Sequence, residues 1–195
     1  MRILKNILSQ LHRFAFWTII LALFWIWIYA NIGDPAPEKK IVIYIDAYEV
    51  DQRGLSLRLE EERLPEGIKL IQVRTGDYIL ANSNSPIKGD LYLMKESVLK
   101  TNLEQTPDQF APVSVPDGMT GFSWEGKTWG IQVYNAAEKA GAAMNYICYC
   151  FDGDPEPENY YLCFDADSCH VAGLPNAVDN AAWEVGLNLL SLKDG

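Results

Sequence analysis

Residues 41–73 read IVIYIDAYEVDQRGLSLRLEEERLPEGIKLIQV, and this stretch decides the fold class. Its first five residues form a continuous apolar run rich in β-branched side chains, which is typical of a strand buried on both faces. Residues 51–62 are charged, with Leu55 and Leu59 on one helical face, and a proline and a glycine then end that helix. Residues 68–73 form a second apolar strand. A strand, a helix and a strand within about 30 residues predict a parallel βαβ unit with a right-handed crossover.

Toward the amino terminus lies an apolar run, FAFWTIILALFWIWIYA at residues 14–30, without charge, proline or glycine. A membrane-spanning helix needs about 20 mainly apolar residues, with about 17 as the lower limit. The run reaches that length when Asn31 and Ile32 are added, and its tryptophans and tyrosine suit a membrane interface. The sequence therefore predicts a transmembrane helix at 14–32.

The charges that flank this run predict its orientation. Arg2, Lys5 and Arg13 precede it, whereas Asp34 and Glu38 follow it. The positive-inside rule places the basic side in the cytoplasm. Because the run is longer than the apolar region of about 7–15 residues in a signal peptide, a retained single-pass anchor in the cell membrane is favoured over a cleaved signal. The predicted organisation is a cytoplasmic terminus at 1–13, the transmembrane helix at 14–32, a linker at 33–40 and an extracytoplasmic α/β domain at 41–195.

The acidic residues all lie on one side of the apolar run. The 195 residues carry a formal net charge of −10, and all 26 Asp and Glu come after residue 33. A domain with such an excess of negative charge repels phosphate groups. The composition therefore excludes nucleic acid and anionic lipid as partners bound through the field of the domain.

The alternation of strands and helices continues beyond the βαβ unit. Residues 136–150 fit either a helix or a strand, and a strand is favoured from residue 145. The other predicted elements are a strand at 90–94, a helix at 96–105, an edge segment at 110–113, a hairpin at 122–134, a strand at 160–164, and a helix capped by Asn180 with Trp183, Leu187 and Leu190 on one face. Alternating strands and helices followed by a hairpin predict an α/β domain.

Five segments carry a resemblance to a known family: IVIYIDAYEVD (41–51), IKLIQVRTGDY (68–78), GDLYLMKESVLKTNLEQ (89–105), GFSWEGKTWGIQVYN (121–135) and YYLCFDADSC (160–169). In this order they resemble the first lobe of the extracytoplasmic solute-binding proteins of ABC importers, which have a periplasmic-binding-protein-like fold. The hairpin departs from the family pattern, because Gln132-Val133 stand where the family has a Pro after Tyr-Gly-Val.

This resemblance implies a transmembrane helix followed by one Rossmann-like lobe, and we expect the second lobe of the family to be missing. The function that follows is a membrane-anchored solute-binding domain whose partners are a sugar or peptide solute or an ABC permease. Two alternatives stay open: a structural or regulatory ectodomain that uses the lobe for protein contacts, and a truncated solute-binding protein.

Ligands of open α/β sheets bind outside the carboxyl ends of the strands. Aromatic rings and carboxylates in such positions suit a sugar-like ligand through stacking and hydrogen bonds, although polar residues are also ordinary in loops. The predicted ligand-binding residues are Asp46, Tyr48, Glu49, Asp77, Tyr78, Lys95, Glu96, Ser97, Tyr134 and Asn135.

The remaining reactive side chains predict neither catalysis nor a cofactor. Cys148, Cys150, Cys163 and Cys169 lack the spacing of a zinc site, and free thiols, one or two disulfides and a metal all stay open for them. The acidic segment at 152–159 lacks the glycine and terminal glutamate of a calcium loop, so a solvated loop is favoured. No nucleophile and base are placed as a catalytic pair, and we expect no cofactor, no metal and no enzymatic activity.

Overall fold

The computed structural model describes residues 2–32, 35–76, 89–151 and 153–192. It divides into two compact units, Met1–Ala36 and Pro37–Gly195. In its described part the chain forms four α-helices and a central mixed β-sheet. The predicted α/β class is therefore confirmed.

The first unit is built on one helix, α1 (Arg2–Ile32). Its large apolar side chains between Leu11 and Trp27 are all exposed, with Phe14 at 76% and Trp25 at 63%. Within the described residues, no helix has both the length and the apolar character that crossing a bilayer requires. The structure thus does not support the membrane-spanning part of the fold predicted for 14–32.

The second unit begins with a 3-10 turn at Pro37–Lys39, followed by the βαβ unit that the sequence predicts. Strand β1 (Lys40–Ile45) pairs in parallel with β3 (Leu70–Thr75), and α2 (Gln52–Arg63) connects them, while β2 (Glu49–Val50) precedes the helix. The carboxylate of Asp51 accepts a hydrogen bond from the Gly54 N–H and caps α2.

The central sheet also contains β4 (Leu91–Lys95), β6 (Gly121–Trp124), β7 (Lys127–Asn135) and β10 (Tyr160–Asp165). Its strand order is β3-β1-β4-β10-β7-β6. Strand β4 pairs in parallel with β1, whereas β10 is antiparallel to both β4 and β7. The remaining elements are α3 (Glu96–Gln105), β5 (Phe110–Ala111), β8 (Ala140–Gly141), β9 (Ile147–Cys148) and α4 (Ala181–Ser191).

The predicted hairpin is confirmed as β6 and β7, which are joined by the two-residue turn Glu125-Gly126. Both residues have positive φ angles, 50° and 78°. This is the backbone of a type I′ turn, whose twist matches the twist of the two strands. The extended segment at 110–113 is shorter than predicted, because only β5 pairs with the end of β10. In the segment at 136–150, β8 and β9 are the regular elements.

Each face of the sheet packs against helices. Ile41, Ile43 and Ile45 of β1 point to the face that carries α2 and α4, whereas Val42 and Tyr44 point to the face that carries α3. This alternation follows from the two-residue period of a strand. The second unit is therefore a three-layer α/β/α arrangement in which the apolar strands are buried on both sides.

The apolar face that the sequence predicts for α4 is not the most deeply buried face of this helix, so that prediction is wrong. Trp183, Leu187 and Leu190 are only half-buried, whereas the residues of α4 that are fully buried are mostly small: Ala181, Ala182, Val185, Gly186 and Leu189. A Cβ atom at Gly186 would lie 3.1 Å from Leu162 of β10. The close approach of α4 to β10 explains why small residues occupy the packed face.

Candidate functional site

The carboxyl ends of β1 and β4 form a topological switch point. The chain leaves β1 toward α2 on one face of the sheet and leaves β4 toward α3 on the other face. A crevice opens where neighbouring strands diverge in this way, and ligands of open α/β sheets bind there. We refer to this end of the sheet as the carboxyl edge, and to the opposite end as the amino edge.

Two predicted residues meet directly at the carboxyl edge. The Lys95 ammonium lies 4.5 Å from the centroid of the Tyr48 ring, which is within cation–π distance. The Tyr48 hydroxyl donates a hydrogen bond of 2.9 Å to Asp154, and the edge of the Phe151 ring packs against Tyr48 at 5.0 Å. The hydrogen bond to Asp154 is the main reason that the pKa of Tyr48 is raised.

Glu96 and Ser97 also lie at this edge, but their polar groups already have partners. Glu96 accepts hydrogen bonds from Lys100 at 2.7 Å and from the Asn159 amide at 3.2 Å, and the contact with Lys100 is the main cause of its lowered pKa. The Ser97 N–H donates to the carboxylate of Glu158 at 2.9 Å. A carboxylate is favoured at the amino terminus of a helix, so α3 is capped by the chain itself.

Two clefts open at the carboxyl edge. The first, of about 440 Å³, is lined by Ile45–Val50 together with Thr75 and Gly76 and contains the predicted residues Asp46, Tyr48 and Glu49. The second, of about 580 Å³, contains Glu96, Ser97 and Asn135. The described part of the acidic segment, residues 153–159, reaches both clefts, because Asp154 contacts Tyr48 in the first and Pro157–Asn159 line the second. We call residues 153–159 the acidic loop.

The structure separates Tyr134 from this group. Tyr134 is 1% exposed and belongs to the core, where its ring stacks on Tyr149 and its hydroxyl lies 2.9 Å from the Cys150 sulfur. Burial raises the pKa of Tyr134 to about 12. Asp77 and Tyr78 lie outside the described residues.

Sequence reasoning missed the acidic loop and Tyr160 as parts of this edge. Tyr160 is the first residue of β10 and is fully buried. Among the described residues, its hydroxyl is the one buried side-chain oxygen or nitrogen without a hydrogen-bond partner. Burial, followed by the charge of Asp46, raises its pKa. The available signal was the position of Tyr160, directly after an acidic turn segment and at the start of an apolar strand.

A second polar cluster lies at the amino edge and includes His170, which is fully buried. One ring nitrogen lies 2.9 Å from the Asp179 carboxylate, and the other lies 3.0 Å from the Pro37 carbonyl oxygen. Both partners are hydrogen-bond acceptors, so both nitrogens must carry a proton. Burial lowers the pKa of His170, but these acceptors and the charge of Asp90 outweigh it and leave the pKa raised.

The rest of this amino-edge cluster is fully hydrogen-bonded. The Ser168 hydroxyl donates to Asp90 at 2.6 Å and accepts from the His170 backbone N–H, so it does not contact the imidazole as a nucleophile would. The Tyr92 hydroxyl donates to Asp165 at 3.0 Å and accepts from the Gly89 N–H at 2.9 Å. Burial raises the pKa of Asp165 to about 6 and also raises that of Asp90.

The cysteines and acidic groups give no sign of a metal site in the described part of the chain. The four cysteines are free, and Cys163 is buried within β10, where burial raises its pKa. Among the described residues, no group of three or more His, Cys, Asp and Glu side chains could hold a metal ion. The carboxyl edge presents ring faces, hydrogen-bonding groups and charges.

Comparisons with known proteins add no assignment. No family model matches this chain, and no curated protein matches it in sequence.

Proposed function

We propose that this protein is a membrane-anchored, extracytoplasmic domain that binds a solute, built like one lobe of a solute-binding protein and without catalytic activity. The observation that carries the proposal is the meeting of Asp46, Tyr48 and Lys95 at the switch point between β1 and β4. The order of strands around β1 and the two clefts at the carboxyl edge add to it. The partners would be a small sugar or peptide solute, or an ABC permease.

Anchoring is supported by the apolar run at 14–30 and by the exposure of its side chains in α1. An apolar surface all around a helix is unfavourable in water and suits either lipid or a buried position. The basic residues that precede the run would keep the amino terminus in the cytoplasm. Deletion of residues 2–32 should release the protein from the membrane fraction of cells, whereas the full chain should resist extraction by carbonate. A full chain that stays in the soluble fraction would contradict anchoring.

Solute binding can be tested on the full chain in mild detergent by thermal unfolding with a panel of sugars, oligosaccharides and peptides. A ligand at 100 times its Kd stabilises the folded state by about 2.7 kcal/mol. For a chain of this size, that corresponds to a rise in Tm of roughly 5–10 °C. If no member of the panel raises the Tm, the solute-binding proposal fails and a role in protein contacts becomes the better explanation.

Two lysines provide matched variants for this experiment. Lys95 lies over the Tyr48 ring at the carboxyl edge, and Lys127 lies over the Trp129 ring at 5.6 Å in the hairpin. Lys95→Ala should reduce or abolish the ligand-dependent rise in Tm, and Lys127→Ala should leave it unchanged. Equal losses in the two variants would show that the ligand binds elsewhere or that its binding is nonspecific.

A further inference from the structure

We propose that His170 is a pH-sensitive switch, which holds the turn Pro37–Lys39 against the rest of the second unit while both ring nitrogens are protonated and releases the turn when one proton is lost. The juxtaposition that carries the proposal is a buried imidazole between two hydrogen-bond acceptors. One is the Asp179 carboxylate, nine residues away, and the other is the Pro37 carbonyl oxygen, 133 residues away. This switch is independent of solute binding at the carboxyl edge.

The turn has few attachments besides the imidazole. Residues 36–39 are exposed, yet Pro37 contacts a histidine that is 0% exposed. Within the described residues, two hydrogen bonds attach the turn to other segments. His170 holds its start through the Pro37 carbonyl, and the Lys69 N–H donates to the Lys39 carbonyl at its end, at 2.7 Å. Loss of the first bond therefore leaves the turn attached only where β1 begins.

The geometry of the imidazole decides which proton is lost. Its Nδ1 lies 2.9 and 3.1 Å from the two oxygens of the Asp179 carboxylate, whereas its Nε2 lies 3.0 Å from the uncharged Pro37 carbonyl oxygen. A hydrogen bond to a charged acceptor is about twice as strong as one between neutral groups, so the proton on Nδ1 is kept. The unprotonated Nε2 is then an acceptor facing another acceptor. Because two acceptors cannot form a hydrogen bond, the turn is released at Pro37.

The charges around the imidazole determine the pH at which this happens. The charged side chains on the segments that meet at His170 are Glu38, Lys39, Asp90, Asp167, Asp179 and Glu184. Asp90 and Asp179 are partly buried, whereas the other four are exposed and screened by solvent. Burial lowers the pKa of His170, but the Pro37 carbonyl, Asp179 and Asp90 raise it above 6.5. The turn is therefore held at acidic pH and released as the pH rises through that pKa.

Release of the turn lengthens the connection between α1 and β1. Residues 37–39 directly precede β1, so once they are free they add to the chain that follows α1. Three extended residues span about 10 Å. In a membrane-anchored protein, a rise in pH would thus lengthen the tether of the α/β domain.

The test is NMR spectroscopy of the full chain, labelled with ¹⁵N, in mild detergent from pH 5 to pH 9. The chain has two histidines, so the ring nitrogens of His170 are readily distinguished from those of His12. We expect both nitrogens of His170 to be protonated at low pH and the remaining proton to stay on Nδ1 at high pH. Over the same range, the order parameters of the Glu38 and Lys39 amides should fall from about 0.85 to below about 0.6.

Three results of this titration would overturn the proposal. The first is an unchanged order of the turn while His170 loses its proton, which would mean that the histidine is structural only. The second is a neutral ring with its proton on Nε2. The third is a ring that keeps both protons at pH 9.

A pair of variants with the same change of charge sharpens the test. In Asp179→Asn the carboxamide nitrogen can donate to Nδ1, while its oxygen keeps the bond from the Ala181 N–H. The ring proton then stays on Nε2, so the turn should remain ordered up to pH 9. Asp167→Asn changes an exposed residue of the same loop and should release the turn as the wild type does. Release in both variants, or in neither, would contradict the switch; if Asp179→Asn does not fold, the titration of the wild type decides.

Discussion

Tyr92 and Tyr160 occupy neighbouring strands of one sheet and are both 0% exposed, yet their hydroxyls differ in hydrogen bonding. The Tyr92 hydroxyl, near the amino edge, makes two hydrogen bonds within a network that ends at Asp165. The Tyr160 hydroxyl, at the carboxyl edge, makes none. A fully satisfied polar network stabilises a fold, whereas a buried polar group without a hydrogen-bond partner lowers stability. The two edges of the sheet thus differ in how completely their buried hydroxyls are hydrogen-bonded.

The strongest test of this division is His170→Ala at the amino edge. The variant leaves the Asp179 carboxylate and the Pro37 carbonyl without their donor, and the loss of one partner of a buried ion pair costs about 3–5 kcal/mol. Because Asp179 is one-third exposed, we expect a loss near the lower figure in the free energy of unfolding, measured with urea and circular dichroism. Asp167→Ala, an exposed residue of the same loop, should change stability by less than about 0.5 kcal/mol. If the His170→Ala protein were as stable as the wild type, this result would contradict a stabilising role of the amino-edge cluster.

The second test removes one oxygen atom from each of the two tyrosines. Tyr92→Phe removes the donor to one oxygen of the buried Asp165 carboxylate and the acceptor of the Gly89 N–H, which should cost about 1–3 kcal/mol. Tyr160→Phe removes a hydroxyl that has no partner, so stability should be unchanged or slightly higher. The measurement is the urea midpoint of each variant. Equal losses in the two variants would show that the Tyr160 hydroxyl has a partner in solution, such as a bound water.

The smallest expected effect is a dependence of stability on pH. Asp165 has its pKa raised from 3.8 to about 6, and the pKa values of Asp90 and His170 are also raised. The folded state therefore binds more protons than the unfolded state, and its stability falls as pH rises. The contribution of protonated Asp165 to the free energy of unfolding is complete below its unfolded pKa of 3.8 and is lost as the pH rises through about 6. Between pH 5 and 7 this loss amounts to about 1 kcal/mol.

His170 extends this loss to higher pH. The contribution of protonated His170 to the free energy of unfolding is complete below its unfolded pKa near 6.5. It is lost as the pH rises through the higher pKa of the folded state. Urea midpoints measured at pH 5, 6.5 and 8 should thus decrease in that order, and His170→Ala should flatten the decrease above pH 6.5. A midpoint that rises with pH would contradict the protonation of the amino-edge cluster.

Local signals in the sequence were sufficient for most single elements of the domain. Helix α3 runs over the predicted residues 96–105, because Pro107 lies just beyond it and its apolar residues follow a helical period. Strand β3 lies two residues later than predicted, since Ile68 is buried in the turn before the strand rather than paired within it. The packed face of α4 was mispredicted because apolar size is a poor guide where a helix closely approaches a strand.

The candidate site was predictable only in part. The rule that ligands bind at the carboxyl ends of strands predicts that Tyr48 and Lys95 lie at the same edge of the sheet. The structure places their side chains in contact there. The same rule included Tyr134, whose side chain turns into the core. The contacts of the acidic loop with Tyr48 and Ser97 join residues 106 and 61 positions apart. No periodicity or local motif reports pairings at such separations, so the sequence predicts only a solvated loop.

The position of β10 in the sheet has a consequence for how the protein is made. This strand follows β4 and β7 along the chain, yet it lies between them in the middle of the sheet. Until residues 160–165 leave the ribosome, β4 and β7 lack a neighbour on one side, and such open strand edges attract other chains. Pairing at this distance along the chain is also slow to form. Until β10 pairs with them, the open edges of β4 and β7 are therefore the part of the sheet most exposed to pairing with other chains.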